Sequence, residues 1–190
     1  MKQAKVLNEK ELKRVLTVVK ARKHSKRDEL VVLLSFYAGL RSCEITSLRV
    51  SDVVDENGKA KDTMYLNSWQ TKGSKRQSVM VGERLQEAIE KYVAQERKSA
   101  SEQDPLIRSQ QGNAFSSTSL QNLFRDIYSS AGIDGASSHS GRRTYITNLS
   151  EKGVSARVIQ KLARHSSLAI TQQYIETNDA VMRKAVELVG

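Results

Sequence analysis

Apolar positions three and four residues apart dominate the chain, with one interruption where they alternate instead. The first helix is signalled at Leu7: Asn8 can cap, Glu11 stands at the capping-box position, and Leu7 can staple against Leu12. Leu12, Val15, Leu16 and Val19 then share a face. Residues 30–38 are apolar nearly all round, which predicts a buried helix stopped by Gly39, and Ser42 can cap a short helix through Leu48. From residue 51 to 81 the period changes. Asp55-Glu56-Asn57-Gly58 signals a turn, residues 63–69 and 76–81 alternate as strands do, and residues 71–75 between them form a hairpin tip. Helical spacing returns at 83–98 and at 118–131, where Leu120, Leu123, Phe124, Ile127 and Tyr128 fit one stripe. Residues 99–112 are the most loop-like, and the last third predicts helices at 138–152, 155–163, 167–175 and 179–189. The expected architecture is α+β: mainly α, with a small antiparallel β-sheet inserted, and no internal repeats.

Composition narrows the class. A chain of 190 residues fits one domain, at most one and a half. One cysteine excludes an internal disulfide framework and Cys-rich zinc modules, and three histidines (His24, His139, His165) argue against a multi-His metal site. No cofactor is predicted. No apolar run approaches the roughly 20 residues of a membrane span, and the N-terminus lacks a signal-peptide core. The expectation is a soluble, cytoplasmic, metal-independent protein.

Charge supplies the first positive clue. The formal net charge is +10, and residues 1–27 hold ten Lys/Arg against two acids, while residues 28–190 hold 21 against 19. A charge of that size steers association with polyanions. The basic segment reads either as a solvated arm or as a contact to a phosphate backbone, where neutralised phosphates release counterions and make binding salt-dependent. An anionic membrane surface is a weaker partner, because the segment has no large apolar face to insert.

Five features bear on phosphate chemistry. Arg41, in Gly39-Leu40-Arg41-Ser42-Cys43-Glu44, presents a planar donor fork that either holds a phosphate or pairs with Glu44. Lys72 sits at the hairpin tip, where lysine commonly only solubilises a turn. His139 and Arg142 share a helix face by their i, i+3 spacing, at the outer end of a stripe that continues to Ile146 and Leu149. Arg164-His165-Ser166-Ser167 precede a short helix whose first amides can help hold an anion. Tyr174 follows nine residues after His165, and the other five tyrosines are assigned to packing.

This ordered set resembles the catalytic domain of the tyrosine recombinase (phage integrase) family, which carries Arg…Lys…His-x-x-Arg…His…Tyr. The match runs from about Leu7 to the C-terminus through Arg41, Lys72, His139, Arg142, His165 and Tyr174. Two positions depart from the pattern: Arg164 stands where the family commonly has glycine, and Gly141 where it usually has a larger apolar residue. The resemblance implies that fold, and DNA cleavage by tyrosine attack on a phosphodiester to give a 3′-phosphotyrosyl link and a free 5′-hydroxyl, followed by religation. In that scheme His139 accepts the phenolic proton, Arg41 and Arg142 stabilise the phosphorane, His165 donates a hydrogen bond, and Lys72 protonates the leaving oxygen.

The implied partner is double-stranded DNA, with the protein a homo-tetramer on synapsed DNA and a monomer or dimer when free of it. The cations assigned to DNA contact are Lys20, Arg22, Lys23, Lys26, Arg27, Lys75, Arg76, Arg143 and Arg164. Residues 1–190 are read as one catalytic domain, with 1–27 a basic N-terminal segment and without the usual N-terminal core-binding domain. Residues 176–190 form a terminal helix that either packs on its own domain or is exchanged between protomers. Two other functions stay open: DNA relaxation of the type IB topoisomerase kind, and a non-catalytic DNA-binding regulator on the same scaffold.

Overall fold

Capping and stripe patterns become elements close to where the sequence places them. The structure is a computed structural model describing residues 3–71, 75–174, 186 and 187. Helix α1 spans Glu9–Lys20 and opens with the anticipated capping box: Glu11 N–H donates to Asn8 Oδ1 (2.9 Å) and Asn8 N–H to Glu11 Oε2 (3.0 Å). Helix α2, Ser25–Tyr37, begins five residues ahead of the apolar run. It is buried from Leu30 to Phe36 and forms the axis of the domain, packed by α1 and by two later helices.

The chain leaves α2 through Gly39 at φ 59°, in the left-handed region. A Cβ there would also stand 2.7 Å from Cδ1 of Tyr145, so both conformation and space call for glycine. Two short helices follow, α3 (Ser42–Ser47) and α4 (Val50–Val53). Strands β1 (Thr63–Leu66) and β2 (Gln77–Met80) pair antiparallel, Thr63 opposite Met80 and Leu66 opposite Gln77. Met64, Leu66 and Val79 face the core, while Tyr65 and Met80 face outward. Trp69, expected at the end of the first strand, lies instead in a 3-10 turn at Ser68–Gln70, where Gln70 accepts from Asn67 N–H and draws the chain out of the ladder.

The remaining helices are α5 (Glu83–Glu96), α6 (Ser117–Ser130), α7 (Ser140–Glu151), α8 (Ala156–Ala163) and α9 (Leu168–Gln172). One core unites α1, α2, α5, α6 and the sheet. A satellite cluster of Ile146, Ile159 and Ala163, flanked by Tyr145, Leu149 and Tyr174, joins α7 to α8. The helix expected at 179–189 lies outside the described residues, apart from the exposed Val186 and Glu187.

The basic N-terminal segment is not a solvated arm. Val15 and Val19 are in the core, Leu7 N–H donates to Thr144 Oγ1 (2.9 Å), and Lys5 N–H to Gly135 O (3.0 Å). Its apolar stripe outweighs its charge: Lys10, Lys13, Arg14, Lys20, Lys23 and Lys26 are exposed, while Arg27 is buried.

Candidate active site

Three chain turns bring distant residues to one place. The Gly39 turn sets Arg41 at the head of α3, where its backbone N–H and its guanidinium both donate to Glu44, at 2.9 and 2.7 Å. His139 is the residue on which α7 begins, and Arg142 follows one turn later. Arg142 is buried and anchored by backbone carbonyls: it donates to Gly39 O (2.6 Å) at the end of α2 and to Ala163 O in the last turn of α8. The α8 helix then stops on Arg164, the sole non-glycine residue at positive φ (57°) among those described. That conformation costs a side-chain-bearing residue about 1–2 kcal/mol. His165 comes next, and its Nδ1 lies 2.9 Å from Thr171 Oγ1 on α9. Tyr174 stacks on the His165 ring, centroids 5.5 Å apart and planes 25° apart.

These side chains line one cavity of about 1270 Å³, which Arg41, His139, Arg142, His165 and Tyr174 all reach. Eight of its lining residues are Lys or Arg, and among the described residues none that lines it is acidic. The electrostatics follow. Burial, then the neighbouring Arg41 and Arg164 charges, push Arg142 down to about 9. Burial and the Arg142, Arg41 and Arg164 charges push His165 down to about 4, so its imidazole is neutral near pH 7. Burial alone would raise the Glu44 carboxyl, but Arg164, the Arg41 N–H, and the Arg41 and Arg142 charges outweigh it and hold the group below its usual range. One carboxylate thus serves three guanidiniums, and the cavity wall keeps a cationic excess that suits a phosphate. Among the described residues no three His, Cys, Asp or Glu side chains cluster as metal ligands would.

The nine cations assigned to DNA contact divide. Lys75, Arg76, Arg143 and Arg164 line the cavity. Arg164, however, turns inward with its side chain 3% exposed, on Glu44 at 2.8 Å, and Arg143 also donates to Ala4 O (2.6 Å). The other five lie elsewhere. Lys20 closes α1, and Arg22 bridges Asp28 (2.9 Å) and Asp126 (2.6 Å). Arg27 is buried against Asp28 (2.7 Å), and Lys26 meets Glu96 (3.1 Å). Lys23, Lys26 and Arg27 border a separate cleft at the opposite end of α2, about 20 Å away by helix rise. These five sit around the α1–α2 junction, at the end of α2 opposite Gly39. Lys72 lies outside the described residues.

Sequence reasoning missed Arg157 and Lys161, exposed on α8 and lining the cavity. Their i, i+4 spacing just ahead of His165 was the available signal. Thr171, fully buried and holding His165, was also missed; a buried hydroxyl partner carries no sequence mark.

A family profile described as the phage integrase family matches residues 5–180. Tyrosine recombinase XerA of Thermococcus kodakarensis is 32% identical over 185 residues, covering 96% of this chain and 62% of that protein. XerA of Pyrococcus furiosus is 29% identical over 185 residues, covering 96% and 61%. The chain therefore spans about three fifths of the length of these curated relatives. A crystal structure of XerA recombinase superposes with a TM-score of 0.79 at 26% identity, covering 99% of this chain and 66% of that one. A transposon Tn1549 integrase in complex with circular intermediate DNA shares the fold, with a TM-score of 0.77 at 15% identity, covering 100% and 68%. Matched along nearly its whole length, with the ordered Arg, His-x-x-Arg, His and Tyr gathered around one cationic cavity, the chain belongs to the phage integrase family.

Proposed function

We propose that this protein cuts and rejoins double-stranded DNA as a site-specific recombinase, through a 3′-phosphotyrosyl intermediate. The observation that carries the reading is the cavity: acid-free among the described residues, lined by eight cations, and edged by a tyrosine stacked on a histidine. The relatives named above are tyrosine recombinases, which favours strand exchange over simple relaxation.

Tyr174 Oη attacks the scissile phosphorus. The O–P bond forms, the P–O5′ bond breaks, and His139 takes the phenolic proton. A free phenol holds that proton up to about pH 10, so its removal must accompany attack. Arg41 and Arg142 meet the charge that builds on the phosphorane oxygens, and His165 donates a further, uncharged hydrogen bond. Lys72 protonates the departing 5′-oxygen. Religation runs the same steps backwards with a partner strand. Lys75 and Arg76 on the hairpin, with Arg157 and Lys161 on α8, hold the flanking backbone. The two guanidiniums neutralise charge that many phosphoryl-transfer sites meet with a cation.

The test is covalent trapping. Nicked suicide substrates carrying the DNA that flanks the gene are offered to the protein and to Tyr174→Phe. The expected result is an adduct with the wild type and none with the variant. An undiminished adduct with Tyr174→Phe rejects Tyr174 as nucleophile. Specific binding without any adduct supports the regulator instead. Loss of cleavage on Lys75→Ala but not on Lys72→Ala moves the general acid to Lys75.

A further inference from the structure

Arg164 does something in this site that its position in the chain does not require. The backbone there is left-handed, a conformation in which glycine is at ease, yet a long cationic side chain occupies it. That side chain is 3% exposed, and both terminal nitrogens of its guanidinium are bonded within the protein. It donates to Glu44 Oε2 (2.8 Å), Leu162 O (3.2 Å), Gly39 O (3.4 Å) and Ala38 O (3.5 Å). It therefore ties the end of α8 to the end of α2 and to α3. These partners are the ones that place the reacting groups. Glu44 holds the Arg41 guanidinium on Oε1 and the Arg41 backbone N–H on Oε2, the oxygen it shares with Arg164; Gly39 O also receives Arg142 (2.6 Å), and His165 is the next residue in the chain.

We propose that Arg164 is a positioning residue for strand cleavage: by occupying one oxygen of Glu44 it limits Arg41 to a single guanidinium contact with that carboxylate. The rest of the Arg41 fork is then left for the phosphate. Without Arg164, Oε2 keeps only the Arg41 backbone N–H, and a second guanidinium N–H of Arg41 closes on it to give a bidentate pair, which is the stronger geometry. Arg41 then answers to Glu44 rather than to the substrate. The turn bearing His165 also loses its tether to the Arg41 loop. Arg164 itself does not touch DNA, because its side chain is buried and both terminal nitrogens are bonded inside the protein.

The inference rests on the proposed strand-transfer chemistry, and the experiment separates the two. Arg164→Gly keeps the backbone conformation without strain, and Arg164→Lys keeps the charge without the fork. Site affinity, by filter binding, and the first-order rate of adduct formation at saturating protein are measured on the suicide substrate. The expected result for Arg164→Gly is affinity within threefold of wild type and an adduct rate at least tenfold slower, with Arg164→Lys between the two. In a cycle with Glu44→Gln, the second substitution costs less in the Arg164→Gly background than alone, because both act on Arg41. Three results overturn the proposal: a wild-type adduct rate in Arg164→Gly, affinity and rate losses of equal size, or losses that simply multiply in the cycle. If the wild type forms no adduct, the strand-transfer reading fails first and this role falls with it.

Discussion

Gly141 lets α7 lie against α2. A Cβ at that position would stand 2.8 Å from Cβ of Ser35 and 2.9 Å from a ring carbon of Phe36, and closer still to Ser35 Oγ. Arg142 is the next residue, so this close approach also sets how far its guanidinium reaches toward Gly39 O. Gly141→Ala is expected to destabilise the fold by about 2 kcal/mol through overpacking, seen as a lower urea midpoint with unchanged slope. A variant as stable as wild type would show that α7 can retreat. The glycine was visible in the sequence as a departure from the family pattern, but its reason was not, because the clash partners come from a helix far upstream.

His165 yields a second expectation at this scale. Unfolded, an imidazole protonates near pH 6.5; folded, this one does so only at about 4. Between those values the unfolded chain binds the extra proton, so stability falls as pH drops from about 6.5 toward 4 and is unaffected above that window. The loss attributable to this residue is on the order of 2–3 kcal/mol at the acid end. His165→Gln should flatten that part of the curve in urea titrations across pH 4 to 7. Parallel curves for the two proteins would sink the assignment.

Among the elements, α8 shows how a helix serves packing and ligand at once. Ile159 and Ala163 are buried in the satellite core, while Arg157 and Lys161 stand exposed at the cavity rim. Ser155 caps its start, accepting from Val158 N–H (3.4 Å), and Arg164 ends it. Each rim cation contacting a phosphate contributes close to one unit to the salt dependence of binding. Arg157→Ala and Lys161→Ala are each expected to lower the slope of log affinity against log salt by about 1, with the fold intact. An unchanged slope for both would remove α8 from the interface. The helix and its cap were legible from local spacing. Which side of it faces ligand was not, since that depends on where α7 lies.

On the scale of the whole molecule, two clusters of basic residues lie at opposite ends of α2. One group lines the cavity, and the other borders the cleft shared by Lys23, Lys26, Arg97 and Arg108. The second group meets its own acids: Lys26 pairs with Glu96, and Arg97 and Arg108 share Asp104. Lys23→Ala with Lys26→Ala should therefore change DNA affinity less than twofold at a salt concentration where Arg157→Ala with Lys161→Ala lowers it tenfold or more. Equal losses for the two pairs would mean that DNA wraps both ends.

The sequence by itself determined the helical character, the inserted hairpin and the ordered chemical set. Caps act within three residues and stripes within two turns, so neighbours along the chain suffice to specify them. Only the tertiary structure decided which cations are available to a ligand. A guanidinium takes whichever carboxylate the fold brings near, and Arg22 found Asp126 while Arg164 found Glu44, partners that no local pattern couples.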